Sequence, residues 1–139
     1  MSNYIQSKSS VVLPYAATTI NLSDSGKLLV TPQTAAAVGV TYTLPAVASS
    51  AGAHFRFVNG APAALSGSVT ITAPANTLRG MVSQGPVGAP SSVSVTNSTS
   101  ILFVTAASIR GDCIDIYCDG SAYYVNATTA IAVAITVAP

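Results

Sequence analysis

Ile109–Asn126, IRGDCIDIYCDGSAYYVN, decides the fold. Two apolar, β-prone runs, Cys113–Cys118 and Ala122–Val125, flank Asp119-Gly120. Asp-Gly between such runs signals a two-residue type I′ hairpin, because both central residues tolerate a positive φ. That turn predicts Tyr117 opposite Ala122, Ile116 opposite Tyr123, Asp115 opposite Tyr124 and Ile114 opposite Val125. The remaining chain reads as further strands gathered around this hairpin.

Working outward, Thr18–Leu22 and Lys27–Thr31 are short strands separated by the turn cluster Ser23–Gly26. Thr34–Gly39 holds an Ala triplet and at most one helical turn, too short for more. Val40–Leu44 alternates, with Val40, Tyr42 and Leu44 on one face. His54–Val58 puts Phe55 and Phe57 on the inner face, and Asn59-Gly60 turns the chain. Ser68–Ala73 places Val69 and Ile71 inward. Asn76–Pro90, rich in Gly and Pro, reads as a long loop with a short strand near Met81-Val82. Ser92–Thr96 and Ile101–Thr105 follow. Thr129–Val137 reads as one strand with Ile131, Val133, Ile135 and Val137 on a single face, a candidate subunit interface. Met1–Pro14 is polar and aperiodic, either an N-terminal arm docking on a neighbour or a frayed terminus. Residues 15–139 then form a single domain.

The count is about eight to ten short strands, with turn signals roughly every eight to fourteen residues and no convincing helix. That pattern predicts an all-β fold, an antiparallel β-sandwich of jelly-roll type.

Composition narrows the function. Half of the 139 residues are hydrophobic but only 6% are charged, against about 25% in ordinary proteins. A monomer of this mass exposes about 6,700 Å², so each charge serves roughly 700 Å² of surface. The formal net charge is only +1. So sparse a surface is clothed in Ser, Thr, Asn and Ala, or is hidden against other chains. Disorder is excluded by the abundance of Val, Ile, Leu and aromatic residues at period two, and collagen by the absence of a three-residue Gly repeat.

The longest wholly apolar run, Ala130–Ile135, is far short of the about twenty residues a spanning helix needs, so no membrane partner is expected. The N-terminus shows no hydrophobic core of signal-peptide type. Cys113 and Cys118 fall on opposite faces of one strand, roughly 16 Å apart at about 3.3 Å per residue, and are read as reduced thiols. That fits an intracellular site of synthesis.

Catalysis is poorly supplied. The chain has one histidine, His54, and four aspartates, Asp24, Asp112, Asp115 and Asp119, with no glutamate. No G-x-S-x-G elbow accompanies His54. A paired-carboxylate hydrolase would need two of the aspartates, yet Asp119 is explained by the turn, Asp112 opens a strand, and Asp115 is placed to accept a hydrogen bond from Tyr124. The aspartates match no calcium-loop spacing and the cysteines lack partner ligands, so no metal and no cofactor is expected. Arg110-Gly111-Asp112 spells an integrin-type tripeptide but precedes a buried-looking strand rather than a loop tip. The three N-x-S/T sequons, at Asn21, Asn97 and Asn126, read as incidental in a Ser- and Thr-rich chain. The basic residues Lys8, Lys27, Arg56, Arg79 and Arg110 form no run, which argues against nucleic acid.

Three segments carry a family resemblance: Ser25–Leu44 running into Pro45, Gly52–Asn59 (GAHFRFVN), and Gly111–Val125 (GDCIDIYCDGSAYYV). Their order resembles small all-β virion proteins of tailed phages and large aquatic DNA viruses. Those proteins serve as capsid decoration, minor capsid, fibre or spike modules and are commonly jelly-roll-like and trimeric. The place of Tyr123-Tyr124 is often Trp-containing there, and this chain has no Trp. The resemblance implies a non-enzymatic viral structural protein on the virion surface. Its partners would be copies of itself, in a homotrimer, and a major capsid or tail protein. It carries no functional residues over. The competing expectation is a carbohydrate- or receptor-binding module at a fibre or spike tip, using Tyr42, Tyr117, Tyr123 and Tyr124, the tyrosines available to pack against a sugar. Two or more of them exposed together would favour it.

Overall fold

Residues 9–32, 39–61, 67–87 and 91–139 are described by the computed structural model. Among these residues twelve strands form two sheets that enclose one apolar core. The seven-stranded sheet contains β1 (Ser10–Val12), β3 (Leu28–Val30), β5 (His54–Val58), β7 (Leu78–Val87), β8 (Ser91–Ser98), β10 (Cys113–Cys118) and β11 (Tyr123–Ile131), in the order β1-β3-β5-β10-β11-β7-β8. The five-stranded sheet contains β2 (Thr18–Thr19), β4 (Val40–Thr43), β6 (Val69–Thr72), β9 (Ser100–Phe103) and β12 (Ile135–Ala138), in the order β12-β9-β6-β4-β2. The all-β sandwich is as the sequence predicts.

The sheets are mixed, however, not purely antiparallel. From β1 to β7 the chain crosses to the other sheet after every strand. Strands β1, β3 and β5 therefore pair in parallel on one side, and β2, β4 and β6 on the other. A parallel pair needs a long crossover, usually a helix. Here the crossover is a strand of the opposite sheet, so this half winds as a two-sided coil rather than a jelly roll. Antiparallel pairing takes over with β8, β9, β10 and β12, while β11 lies parallel to β7.

Phe55, Phe57, Val69 and Ile71, expected on inner faces, are buried. Leu29, Ile101, Phe103, Ile114 and Ile116 join them and are fully buried. Ser10–Val12, assigned by sequence to the arm, is instead a sheet strand on β3, and Leu13 joins the core. Residues 1–8 of that arm, and the helical turn expected within Thr34–Gly39, lie outside the described residues.

The hairpin register differs from the expected one by two residues: Cys118 pairs with Tyr123, Tyr117 with Tyr124, Ile116 with Val125 and Asp115 with Asn126. Gly120 has φ +92°, but Asp119 does not enter the positive-φ region that a type I′ turn requires. Asp119 Oδ1 instead accepts hydrogen bonds from the N–H groups of Ser121 (2.7 Å) and Ala122 (2.8 Å), stabilising a longer connection. A slip of two residues leaves every side chain on its predicted face.

Thr129–Val137 is not one strand. The chain turns at Ala132–Ala134, with Val133 at φ +59°, and passes from β11 in one sheet to β12 in the other. A β-branched residue in that region is a strained exception. Ile131, Val133, Ile135 and Val137 thus form no common outward face: Ile135 is fully buried, Val137 packs partly against the core, and Val133 projects at the turn.

Two of the tyrosines nominated for sugar contact are core residues. Tyr42 is fully buried and its hydroxyl donates to the Pro14 carbonyl (2.8 Å). Tyr123 is also fully buried, donating to the Pro45 carbonyl (2.8 Å) and lying 3.1 Å from Ser50 Oγ. Burial, assisted by the neighbouring Tyr15, pushes the Tyr42 phenol up to about 12. In the unfolded chain it releases its proton at about 10. Its contribution is therefore complete below pH 10 and is lost as pH rises through 12. Alkaline unfolding should steepen across that window, costing on the order of 2 kcal/mol. Tyr42→Phe should flatten the profile while losing about 1 kcal/mol at neutral pH. Urea midpoints measured from pH 7 to 12 check both.

Candidate functional site: two outer faces of opposite character

The outward residues of the seven-stranded sheet line up in rungs across its strands. One rung runs His54, Tyr117, Tyr124, Arg79, Thr96. The next runs Leu28, Arg56, Asp115, Asn126, Met81, Ser94. Tyr117 and Tyr124 are 48% and 45% exposed and sit directly opposite each other on β10 and β11, with exposed Met81 on the adjoining rung. Of the four nominated tyrosines, the structure brings these two together at the surface.

Their surroundings are polar and ordered. The imidazole of His54 stacks on the Tyr117 ring with centroids 4.3 Å apart and planes within 1°. The stack occupies one face of the Tyr117 ring. His54 Nε2 lies 3.1 Å from Asp115 Oδ1, and Arg56 Nε lies 3.7 Å from the same oxygen. Asp115 is thus engaged by His54 and Arg56, not by Tyr124 as the sequence suggests. With the true register, Tyr124 instead donates to Asp119 Oδ2 (2.9 Å). That bond and its contact with the carboxylate raise the phenol's pKa. Asp119 is held below the usual carboxylate range, first by the N–H of Ala122, then by that of Ser121 and by the Tyr124 hydroxyl. Beside this cluster, Gly26, Lys27, Leu28, His54, Arg56 and Val58 line a pocket of about 460 Å³.

The opposite face is different. No strand of the five-stranded sheet contains a charged residue. Its outward rungs are Thr19, Thr43, Thr72, Ser100, Ala138 and Thr41, Thr70, Leu102, Thr136. Charge in this charge-poor chain is therefore segregated. Lys27, Arg56, Arg79, Asp115 and Asp119 belong to the seven-stranded sheet or its adjoining turns. The period-two pattern in V-T-Y-T and V-T-I-T already marked these threonines as outward, but sequence reading did not join them into one surface because their pairing is parallel and non-local.

Each aspartate is committed to its own partners. Asp24 pairs with Lys27 (3.0 Å). Asp112 is buried within the sequence-noted Arg110-Gly111-Asp112, its carboxylate bonded to Ser108 Oγ and to the N–H groups of Ile109 and Ala130. It is a structural residue, not a displayed ligand. Among the described residues, no three of His, Cys, Asp and Glu gather as a metal site would require. Cys113 and Cys118 are free thiols, half-buried and buried respectively. No described helix is long and apolar enough to cross a membrane.

The chain matches no known protein-family model, no curated protein and no solved structure.

Proposed function

We propose that this chain is a non-enzymatic structural module of a virion, a capsid-decoration, minor-capsid or fibre component that assembles with copies of itself as a trimer and docks on the particle. The observation that carries the reading is the segregation of charge. A sheet face of Thr, Ser, Ala and Leu, crossing five strands without one charged side chain, suits burial against another subunit, where charges are depleted. It also accounts for a composition with too few charges for an isolated particle. The sequence resemblance supports the virion setting, with synthesis in the host cytoplasm.

Light scattering at several concentrations tests the assembly. The expected result is a stable species of about three times the 13.9 kDa chain mass. Thr70→Arg, which places a charge at the centre of the uncharged face, should shift that species toward monomer at unchanged secondary structure. A wild-type monomer at every concentration would overturn the reading.

A second reading, receptor or glycan binding at the exposed face of the module, is favoured by the paired exposure of Tyr117 and Tyr124. The two readings use opposite faces and are compatible.

A further inference from the structure

We infer that the outer face of the seven-stranded sheet binds a sugar acid, a glycan unit bearing a carboxylate, in the pocket beside His54; this rests on the receptor-binding reading above. The pocket, about 460 Å³, is of the size that holds a small ligand. Leu28 and Val58 supply an apolar lining, and Lys27 and Arg56 supply two cationic side chains. Two cations on one rim favour a carboxylate, which meets them with charge-assisted hydrogen bonds, over a neutral hydroxyl.

The cations differ in how firmly they are already satisfied. Lys27 is engaged by Asp24 at 3.0 Å. Arg56 is half exposed and meets Asp115 through Nε at 3.7 Å, beyond good hydrogen-bond distance. Among the described residues nothing engages its two terminal nitrogens. That planar fork matches a carboxylate in bidentate geometry. Arg56 is therefore the anchor for the acid group, with Lys27 as a second charge on the same rim.

The exposed aromatic side chains next to the pocket suit a saccharide. His54 belongs both to the pocket and to the stack with Tyr117, so its ring links the pocket on the β3–β5 side to the tyrosine pair on β10 and β11. From His54 on β5 to Tyr124 on β11 is two strand spacings, about 10 Å, close to the span of two linked sugar rings. A terminal sugar acid in the pocket would place the next ring over Tyr117 and Tyr124. Asn126 and Arg79 offer polar contacts along the same path.

Saturation-transfer NMR and calorimetric titration of the full chain test this with four probes. They are the methyl glycosides of N-acetylneuraminic acid and of glucuronic acid, and the carboxyl methyl ester of each. The expected result is binding of at least one acid, with its ester weaker by roughly tenfold or more, the loss of a charge-assisted bidentate contact. Arg56→Gln should reproduce that loss on the acid and leave the ester unchanged, and Tyr117→Ala should weaken both. Both residues are exposed, and the ester comparison requires no variant. An ester bound as tightly as its acid would overturn the acid assignment while leaving glycan binding intact. Absence of binding by all four probes would remove both.

Discussion

Gly80→Ala is expected to unfold the protein or to lower its melting temperature by about 10 °C or more. Gly80 lies in β7 at φ +138°, beside the register shift between Leu78 and Arg79 in the β7–β8 pairing. A Cβ built there would lie 2.0 Å from the Val125 carbonyl oxygen and 2.9 Å from the Val125 carbonyl carbon and nitrogen. All three are backbone atoms of β11, which is held on its far side by β10. Relief would require separating β7 from β11, two adjoining interior strands of the seven-stranded sheet. Backbone strain alone costs about 1–3 kcal/mol. With the clash, the total should exceed about 4 kcal/mol, within reach of the whole stability of a domain. At roughly 3 °C per kcal/mol for a chain of this size, the shift is large. Gly26→Ala separates the two causes. Gly26 also has a positive φ, +80°, but a Cβ there meets nothing within 4 Å. It should cost only about 1 kcal/mol. Thermal melts of both variants decide the matter, and similar small shifts in the two would refute the close-approach explanation.

Gly80 also shows where sequence reading stops. Asn76–Pro90 reads as a loop because Gly and Pro punctuate it, yet Leu78–Val87 is a ten-residue strand. Its glycines at 80 and 85 sit where β11 approaches too closely for any side chain, since a Cβ on Gly85 would also lie 2.3 Å from the Ala130 oxygen. Glycine inside a strand can mark such an approach, but one sequence does not say which strand arrives.

Local alternation was legible, and it was more informative than residue type. It already set Tyr42 with Val40 and Leu44, and Tyr123 is in phase with Val125. Both tyrosines are accordingly buried, and nominating them for sugar contact followed their chemistry against their pattern. Tyr117 and Tyr124, in phase with Asp115 and Asn126, are the exposed pair. The break at Val133 was illegible because I-A-V-A-I continues a strand pattern without Gly, Pro or Asn to mark the corner. The parallel coil was illegible for a related reason. Turn residues report on hairpins between neighbours, whereas β1, β3 and β5 find one another across intervening strands.

Asp112→Ala should be the most damaging side-chain truncation outside the apolar core, at about 3–5 kcal/mol. Four buried polar side chains, Thr31, Asn59, Ser108 and Asp112, form one network where β3 and β5 end and β10 begins. Asn59 Nδ2 donates to Ser108 Oγ (2.9 Å), and Ser108 Oγ donates to Asp112 Oδ2 (2.9 Å). Asp112 also accepts from the N–H groups of Ile109 (3.0 Å) and Ala130 (3.0 Å). Asn59 Oδ1 closes the other end by accepting from the Ala61 N–H (2.9 Å). Removing the carboxylate strands three donors at once, two of them backbone groups that cannot rotate away. Each unsatisfied buried donor costs about 1–3 kcal/mol, partly relieved by water entering the cavity. Asp112→Asn keeps one acceptor but turns an NH₂ group toward existing donors, so it should fall between wild type and alanine. Ser108→Ala should cost about 1–2 kcal/mol. The double variant should cost less than the sum, because the two residues share a bond. Urea unfolding of the three single variants and the double closes the cycle. A loss below about 1 kcal/mol in Asp112→Ala would mean that the strands are held in register without this network.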